Sequence, residues 1–225
     1  MNSRDNHLWL QTWRDKQTDF HQENVNPLLI RFWPKLKLPL GCKIFVPLCG
    51  KSLDMIWLAN QGHNVIGVEL SPIAVQAFFQ ENLLKPVKQT KGQFTLWKHD
   101  RISILCGDYF SLTKGDLGNI DTVYDRASLT ALPEDIRKHY VTQLRSILPE
   151  TAEIFLLTTE DAEEGETLQH AMGVDEEIAE LYSDEFDIDL AHVESVCEAD
   201  PESPKQEQRR TEYKLYQLTS RLNAF

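Results

Sequence analysis

The alternation of short apolar runs with helical segments between residues 43 and 159 constrains this fold more than any other sequence feature. Five apolar runs predict buried strands, at 43–48, 64–70, 102–108, 122–125 and 152–159. Segments with helical spacing follow three of them, and one begins at Ser71-Pro72, a serine N-cap with proline at the first helical position. Strands that alternate with helices form right-handed βαβ units and a mainly parallel sheet. The sequence therefore predicts an α/β fold.

The two ends of the chain follow other patterns. Residues 1–40 place several aromatic side chains among polar ones, which predicts one or two short helices broken near Pro27 and Pro34. In the last third, a helix at 175–182 precedes two alternating runs, 186–193 and 211–218, with no helix between them. These two runs predict a terminal antiparallel hairpin. With no linker in the sequence, we expect a single domain of 225 residues: a helical cover (1–40), a core (41–160) and an acidic part (161–225).

Charge and composition exclude several classes of function. The net charge is −12, and the stretch from Glu150 to Glu202 holds 19 acidic residues with no Lys or Arg, a pattern typical of a solvated face. Such a surface repels phosphate backbones, so we expect no nucleic-acid partner. No apolar run approaches the roughly 20 residues of a membrane span. Four cysteines without CxxC spacing predict neither a disulfide framework nor a metal site, and we expect a cytoplasmic protein with no membrane partner.

Ligands of open α/β sheets bind beyond the carboxyl ends of the strands, so the residues at these ends are candidates for a site. The first strand runs into Pro47-Leu48-Cys49-Gly50-Lys51, whose single glycine fits neither GxGxxG nor a P-loop, so a ligand-binding turn and a plain tight turn remain open. The second strand ends in Glu69, 21 residues after Leu48. This spacing is typical of an acidic residue that binds ribose hydroxyls, and the alternative is an exposed glutamate at a strand end.

Two further strand ends carry polar groups. After the third strand, the Asp108 carboxylate or the Tyr109 backbone could reach an adenine amino group. The fourth strand ends in Asp125-Arg126, and the planar fork of donors on the arginine suits a carboxylate or an anionic substrate. The alternative for Arg126 is a structural pair with Asp125.

Three runs of the sequence are specific enough to compare with known families: FVPLCGKSLDMIWLANQGHNVIGVELSPIAVQAFF (45–79), VYDRASLTALP (123–133) and WRDKQTDFHQENVNPLL (13–29). Together they resemble the thiopurine S-methyltransferase family in its bacterial form, and the likeness is close over residues 8–160. The resemblance implies a Rossmann-like class I fold that uses S-adenosyl-L-methionine and releases S-adenosyl-L-homocysteine. It also implies a seven-stranded, mostly parallel sheet with an antiparallel last strand, in agreement with the predicted hairpin.

The resemblance also implies roles for individual residues around the cofactor. Leu48 would contact the cofactor, Glu69 would hold its ribose, and Asp108 with Tyr109 would flank its adenine. Trp13 would lie in the helical cover above it. Without the resemblance, Trp13 and Phe20 would be interpreted as core packing of an extra helix.

On the acceptor side, the resemblance implies two residues. Phe20 would line the acceptor, and Arg126 would lie near the methionine moiety of the cofactor and orient the acceptor for catalysis. Relatives carry a Gly-Pro-Pro run after the fifth strand, but residues 158–177 here lack it. The identity of the acceptor therefore stays open.

The resemblance thus implies an enzyme that methylates a small thiol, thiopurine or chalcogen (selenium or tellurium) compound, and we expect it to be a monomer. Two alternatives remain at this point. One is a methyltransferase with an oxygen or nitrogen acceptor, and the other is a module that binds S-adenosylmethionine without turnover.

Overall fold

The structure, a computed structural model, describes residues 3–18, 20–161, 173–199 and 208–224. The described α-helices are α1 (Ser3–Arg14), α2 (Pro27–Phe32), α3 (Asp54–Asn60), α4 (Pro72–Glu81), α5 (Lys114–Leu117), α6 (Glu134–Ile147) and α7 (Glu176–Tyr182). The described strands are β1 (Lys43–Val46), β2 (Asn64–Glu69), β3 (Val87–Lys91), β4 (Phe94–His99), β5 (Ile102–Cys106), β6 (Thr122–Arg126), β7 (Glu153–Asp161), β8 (Phe186–Ala199) and β9 (Gln208–Ser220). Much of the acceptor-side segment that departs from the family, residues 162–172, lies outside the described residues.

The chain divides into two compact units, which are described separately. The first comprises Met1–Val123 and Gln143–Pro149, and the second comprises Tyr124–Thr142 and Glu150–Phe225. The prediction of a single domain stays a prediction.

The first unit is built on a mixed sheet with the strand order β3-β4-β5-β2-β1-β6, of which β6 contributes its first two residues. Strand β2 pairs in parallel with β1 on one side and β5 on the other, and β1 pairs in parallel with the start of β6. The predicted strands at 43–48, 64–70 and 102–108 are therefore confirmed. Fully buried side chains of these strands and of the helices that cover them form the core, among them Ile44, Phe45, Leu58, Val68, Phe78 and Ile104.

An antiparallel hairpin at the edge of this sheet was not predicted, and it raises the strand count from seven to nine among the described residues. Strand β3 pairs with β4, and β4 pairs antiparallel with β5. Strand β3 reads VKQTK and is almost entirely exposed, so it lacks the alternation that marks a half-buried strand. The Lys88 amine lies 3.4 Å from the centroid of the Trp97 ring, and this cation–π contact connects the two paired strands.

Helix starts in the first unit follow their sequence signals. The Ser71 hydroxyl accepts a hydrogen bond from the Ala74 N–H at 3.4 Å, so the predicted N-cap of α4 is confirmed. Pro27 begins α2, and the Asn26 side chain caps this helix by accepting from the Leu28 N–H at 2.9 Å. Proline marks the start of a helix here because its missing N–H would have had no partner in the first turn.

The second unit contains the end of β6 and the strands β7, β9 and β8, in that order. Strand β9 pairs antiparallel with β7 and with β8, so both the antiparallel last strand and the terminal hairpin are confirmed. The pairing of β8 shifts register between Leu190 and His192, which indicates a bulge. The core of this unit includes Tyr124, Tyr140, Phe155 and Tyr216, all fully buried.

Among the described residues, none of the helices has both the length and the apolar character needed to cross a membrane.

Candidate active site

The turn after β1 holds two left-handed positions, one on each side of Cys49. Leu48 has a φ of 44° and Gly50 a φ of 52°. Glycine adopts this conformation freely, whereas a leucine there costs on the order of 1 kcal/mol or more. The turn is anchored to β2, because the Cys49 N–H donates to the Val68 carbonyl at 2.9 Å. A strained turn at the carboxyl end of a parallel strand is typical of a ligand site rather than of a plain connection.

The same turn packs directly over the middle of β2. A Cβ placed on Gly67 would lie 2.7 Å from the Cys49 sulfur and 3.1 Å from the Met55 sulfur, closer than such atoms approach. A glycine at position 67 is therefore required for the turn and the start of α3 to reach β2. The isolated glycine inside the apolar run of β2 was the sequence signal for this close approach.

Glu69, at the end of β2, is the best-defined polar group of the first unit. It is 7% exposed, so the alternative of an exposed strand-end glutamate is wrong. Its Oε2 accepts from the Gly50 N–H at 2.9 Å, and its Oε1 accepts from the Ser71 N–H at 2.7 Å. One carboxylate thus connects the turn after β1 to the N-terminus of α4.

Burial raises the pKa of Glu69 to about 6, although hydrogen bonds from the backbone N–H groups of Ser71, Gly50 and Leu70 act in the opposite direction. Desolvation disfavours the charged form of a carboxyl group, and donors that point at it favour that form. The balance places the titration of Glu69 close to neutral pH. A ligand that brings additional donors would stabilise the carboxylate.

The N-terminal helix covers the turn with an aromatic cluster. A Cβ on Gly50 would lie 3.3 Å from the Trp13 ring, so the buried Trp13 packs against the turn at this glycine. The Phe20 ring meets the rings of Trp9 and Trp13 edge-on, with centroids 5.7 Å apart in each pair. Phe20 itself is 48% exposed. It is therefore not a core residue, and it leaves part of an aromatic face available to a ligand.

Asp108 follows β5 and begins a short 3-10 turn (Tyr109–Ser111). Its Oδ1 accepts from the Phe110 N–H at 3.0 Å, and its Oδ2 accepts from the Asn6 side-chain amide at 3.1 Å. The Tyr109 side chain is only 2% exposed. Any contact of Tyr109 with a ligand therefore falls to its backbone, one of the two options that the sequence left open.

Contacts within the first unit connect most of the predicted cofactor-binding residues. Phe20 touches Trp13, Trp13 touches the turn at Gly50, and Gly50 donates to Glu69. Leu48 belongs to the same turn. Asp108 joins this group through Asn6, which lies on the same helix as Trp13. Sequence reasoning missed Asn6, since an amide in a polar N-terminal stretch carries no motif.

Arg126 belongs to the second unit, where it ends β6 in a half-buried position. The preceding Asp125 is fully buried and accepts from the Tyr140 hydroxyl at 2.6 Å and from the Ser128 N–H at 3.0 Å. Burial raises the pKa of Asp125, and these hydrogen bonds oppose the shift. The carboxylate of Asp125 therefore has two neutral partners of its own within its unit.

A polar cavity of about 450 Å³ also lies in the second unit. Arg137 on its wall donates to Glu177 at 2.6 Å and to Glu160 at 3.3 Å, and Lys214 pairs with Asp175. Burial raises the pKa of Glu160, which Arg137 lowers and the neighbouring carboxylates raise. Five carboxylates and two cations line the cavity, so it does not suit an anionic acceptor. Sequence reasoning identified only an acidic stretch here, because Arg137 and Lys214 lie outside it in the chain.

Similar solved structures identify the class of fold. A methyltransferase from Anabaena variabilis described as S-adenosylmethionine-dependent aligns with a TM-score of 0.62 at 17% identity, over 98% of this chain and 96% of that one. The 1,6-didemethyltoxoflavin-N1-methyltransferase of Burkholderia thailandensis, solved with bound 1,6-didemethyltoxoflavin and S-adenosylhomocysteine, aligns with a TM-score of 0.56 at 14% identity, over 96% of this chain and 87% of that one. The fold is thus that of class I methyltransferases dependent on S-adenosylmethionine.

Sequence comparison then identifies the family. The model of the thiopurine S-methyltransferase family matches residues 4–221. A thiopurine S-methyltransferase of Stutzerimonas stutzeri is 61% identical over 221 residues, which cover 98% of this chain and 93% of that protein. Another from Methylococcus capsulatus is 42% identical over 219 residues, covering 96% and 98%. The chain belongs to the thiopurine S-methyltransferase family, and the resemblance seen in the sequence is confirmed.

Proposed function

We propose that this chain transfers the methyl group of S-adenosylmethionine to the sulfur of a small thiol or thiopurine, or to a related selenium or tellurium compound. The observation that carries the proposal is the buried Glu69 carboxylate, bonded to the turn after β1, in a chain 61% identical to a thiopurine S-methyltransferase. A carboxylate at this strand end is the group that binds a ribose diol in nucleotide-binding βαβ units.

The groups of the first unit fit the chemistry of this cofactor. The Glu69 carboxylate would accept from the ribose diol, and the strained turn at Leu48 would bring the backbone beside it. Asp108 and the Tyr109 backbone supply hydrogen-bonding groups for an adenine. Trp13 covers the turn with an aromatic face, which suits a positively charged sulfonium.

Methyl transfer to an ionised thiol needs no general acid or base. When bound, S-adenosylmethionine supplies an electrophilic methyl group, which an ionised thiol attacks in line with the departing sulfur. The chain therefore has to align the two partners and exclude water. Phe20 would line the acceptor with its exposed face, and Arg126 would orient the acceptor through its planar fork of donors.

An acceptor panel matched in shape tests this function. 6-Mercaptopurine, hypoxanthine and adenine present sulfur, oxygen and nitrogen at the same ring position, and mass spectrometry identifies the methylated atom. We expect S-methylation of the thiol alone, in a reaction that consumes S-adenosylmethionine. Methylation of oxygen or nitrogen instead would establish another acceptor class. Cofactor binding without turnover on this panel or on simple thiols and selenols would favour the non-catalytic module.

The proposal includes a monomer in the cytoplasm with small-molecule substrates and no nucleic-acid or membrane partner. The net charge of −12 opposes binding to phosphate backbones, and Cys42, Cys49 and Cys106 are free thiols, as expected in a reducing compartment. Light scattering after size-exclusion chromatography measures the oligomeric state, and a mass near 26.0 kDa is the expected result.

A further inference from the structure

Asn6, on α1, contacts the carboxylate that is proposed to lie beside the adenine. Its Nδ2 donates to the Asp108 Oδ2 at 3.1 Å, across 102 positions of the chain. The other oxygen of Asp108 is held by the Phe110 N–H at 3.0 Å. The Asp108 carboxylate is therefore fixed from two sides, and Asn6 is one of the two groups that fix it.

The oxygen of the Asn6 amide, Oδ1, is a buried acceptor. None of the residues that the structure describes donates a hydrogen bond to it. A flip of the amide does not remove the problem, because it would turn the oxygen toward a carboxylate that only accepts. A buried acceptor without a donor is unfavourable, and this one lies beside the proposed adenine position, where a ligand could bring a donor.

Asn6 lies on the same face of α1 as Trp13, which packs over the turn after β1. Trp13 follows Asn6 by seven residues, two helical turns, so both project from the same face of α1. One of them contacts Asp108 and the other packs at Gly50 of the turn. The helix thus meets the site at both ends of its inward face.

We propose that Asn6 is a cofactor-binding residue whose Oδ1 accepts a hydrogen bond from the exocyclic amino group of the adenine, beside Asp108. This inference rests on the proposed function. An amino group on the purine ring has two N–H donors, and the groups facing it would be two kinds of acceptor, an amide oxygen and a carboxylate. A purine with a carbonyl at that position places an acceptor against these acceptors, so Asn6 contributes to selection of adenine.

Calorimetry with two probes tests this proposal on the full chain. The probes are S-adenosylhomocysteine and S-inosylhomocysteine, which carries an oxo group in place of the amino group. The variants are Asn6→Ala and, as a matched control, Gln11→Ala, which removes an exposed carboxamide from the same helix. We expect wild type and Gln11→Ala to prefer the adenosyl probe by about tenfold or more, the effect of unpaired polar groups. Asn6→Ala should lose most of that preference, chiefly through weaker binding of the adenosyl probe.

Three results would overturn the inference. Equal weakening of both probes in Asn6→Ala would make Asn6 a support of the helix only. An unchanged preference in Asn6→Ala would remove Asn6 from the site. A wild-type chain without any preference would refute amino-group recognition even if no variant folds. In all three cases the proposed function stands, whereas failure of wild type to bind S-adenosylhomocysteine would refute the function and this inference together.

Discussion

Burial disfavours the charge of Glu69, whereas the ribose diol that we propose it binds would require the charged carboxylate as an acceptor. Its pKa near 6 means that a proton competes with the ligand just below neutral pH. Under the proposed function, the diol donors would favour the ionised form, so binding would lower this pKa and release a proton in that range. Affinity for S-adenosylhomocysteine should therefore fall as the pH drops through about 6, approaching tenfold per pH unit below it.

Calorimetry between pH 5 and pH 8 measures this dependence. Glu69→Gln should flatten the profile because it removes the titrating group, and Glu69→Ala should weaken binding at neutral pH by about 1–3 kcal/mol, the scale of unpaired hydroxyl groups. If wild type keeps a constant affinity across this range, or if Glu69→Ala binds as tightly as wild type, the ribose assignment is wrong.

Arg126 is predicted to orient the acceptor, and its neighbour Asp125 is engaged by Tyr140 and Ser128. Arg126→Lys retains the charge and loses the fork of donors. We expect a nearly unchanged melting temperature together with a loss of about tenfold or more in kcat/KM for a thiol acceptor, about 1.4 kcal/mol of transition-state stabilisation. A variant that melts several degrees lower and keeps full turnover would instead show that Arg126 is a structural partner of Asp125.

At the residue scale, the polar residues at strand ends could be predicted from the sequence, whereas their hydrogen-bond partners could not. Glu69 follows an apolar run at a spacing known from nucleotide-binding folds, so its position was accessible. Asn6 lies in a polar stretch, and its meeting with Asp108 depends on tertiary packing across 102 residues. Local sequence patterns do not predict a contact between residues so far apart in the chain.

The element predicted to cover the site is α1, whose inward face contacts the turn after β1 and Asp108. A ligand held between this helix and the strand ends would add contacts to both, and local opening of the helix would then become rarer. Amide hydrogen exchange over residues 8–25 should therefore slow when S-adenosylhomocysteine is added. Equal protection with and without the ligand would show that this segment does not act as a cover.

Helices were predicted well where caps mark them, and strands where they are buried. Ser71-Pro72 gave the start of α4 because a side-chain cap and a fixed φ are local effects. The β3-β4 hairpin escaped prediction because its outer strand is polar and exposed, and its stability depends on pairing with β5 through β4. Propensity alone does not indicate strand pairing at a sheet edge.

On the scale of the whole molecule, the fold and the family followed from the βαβ alternation and from three specific runs of sequence. The identity of the methyl acceptor could not be predicted, because the segment after β7 departs from the family and its middle lies outside the described residues. The central claim is therefore that one chain holds one cofactor and passes its methyl group to sulfur.

A single-turnover experiment tests this claim most directly. The chain is mixed with an equal amount of S-adenosylmethionine that carries a labelled methyl group, and 6-mercaptopurine is then added in excess. We expect the label to appear on the thiopurine sulfur, at close to one methyl group per chain that holds cofactor, and none to reach hypoxanthine under the same conditions. Label that stays on the cofactor, or that appears on a ring nitrogen or oxygen, would contradict the account.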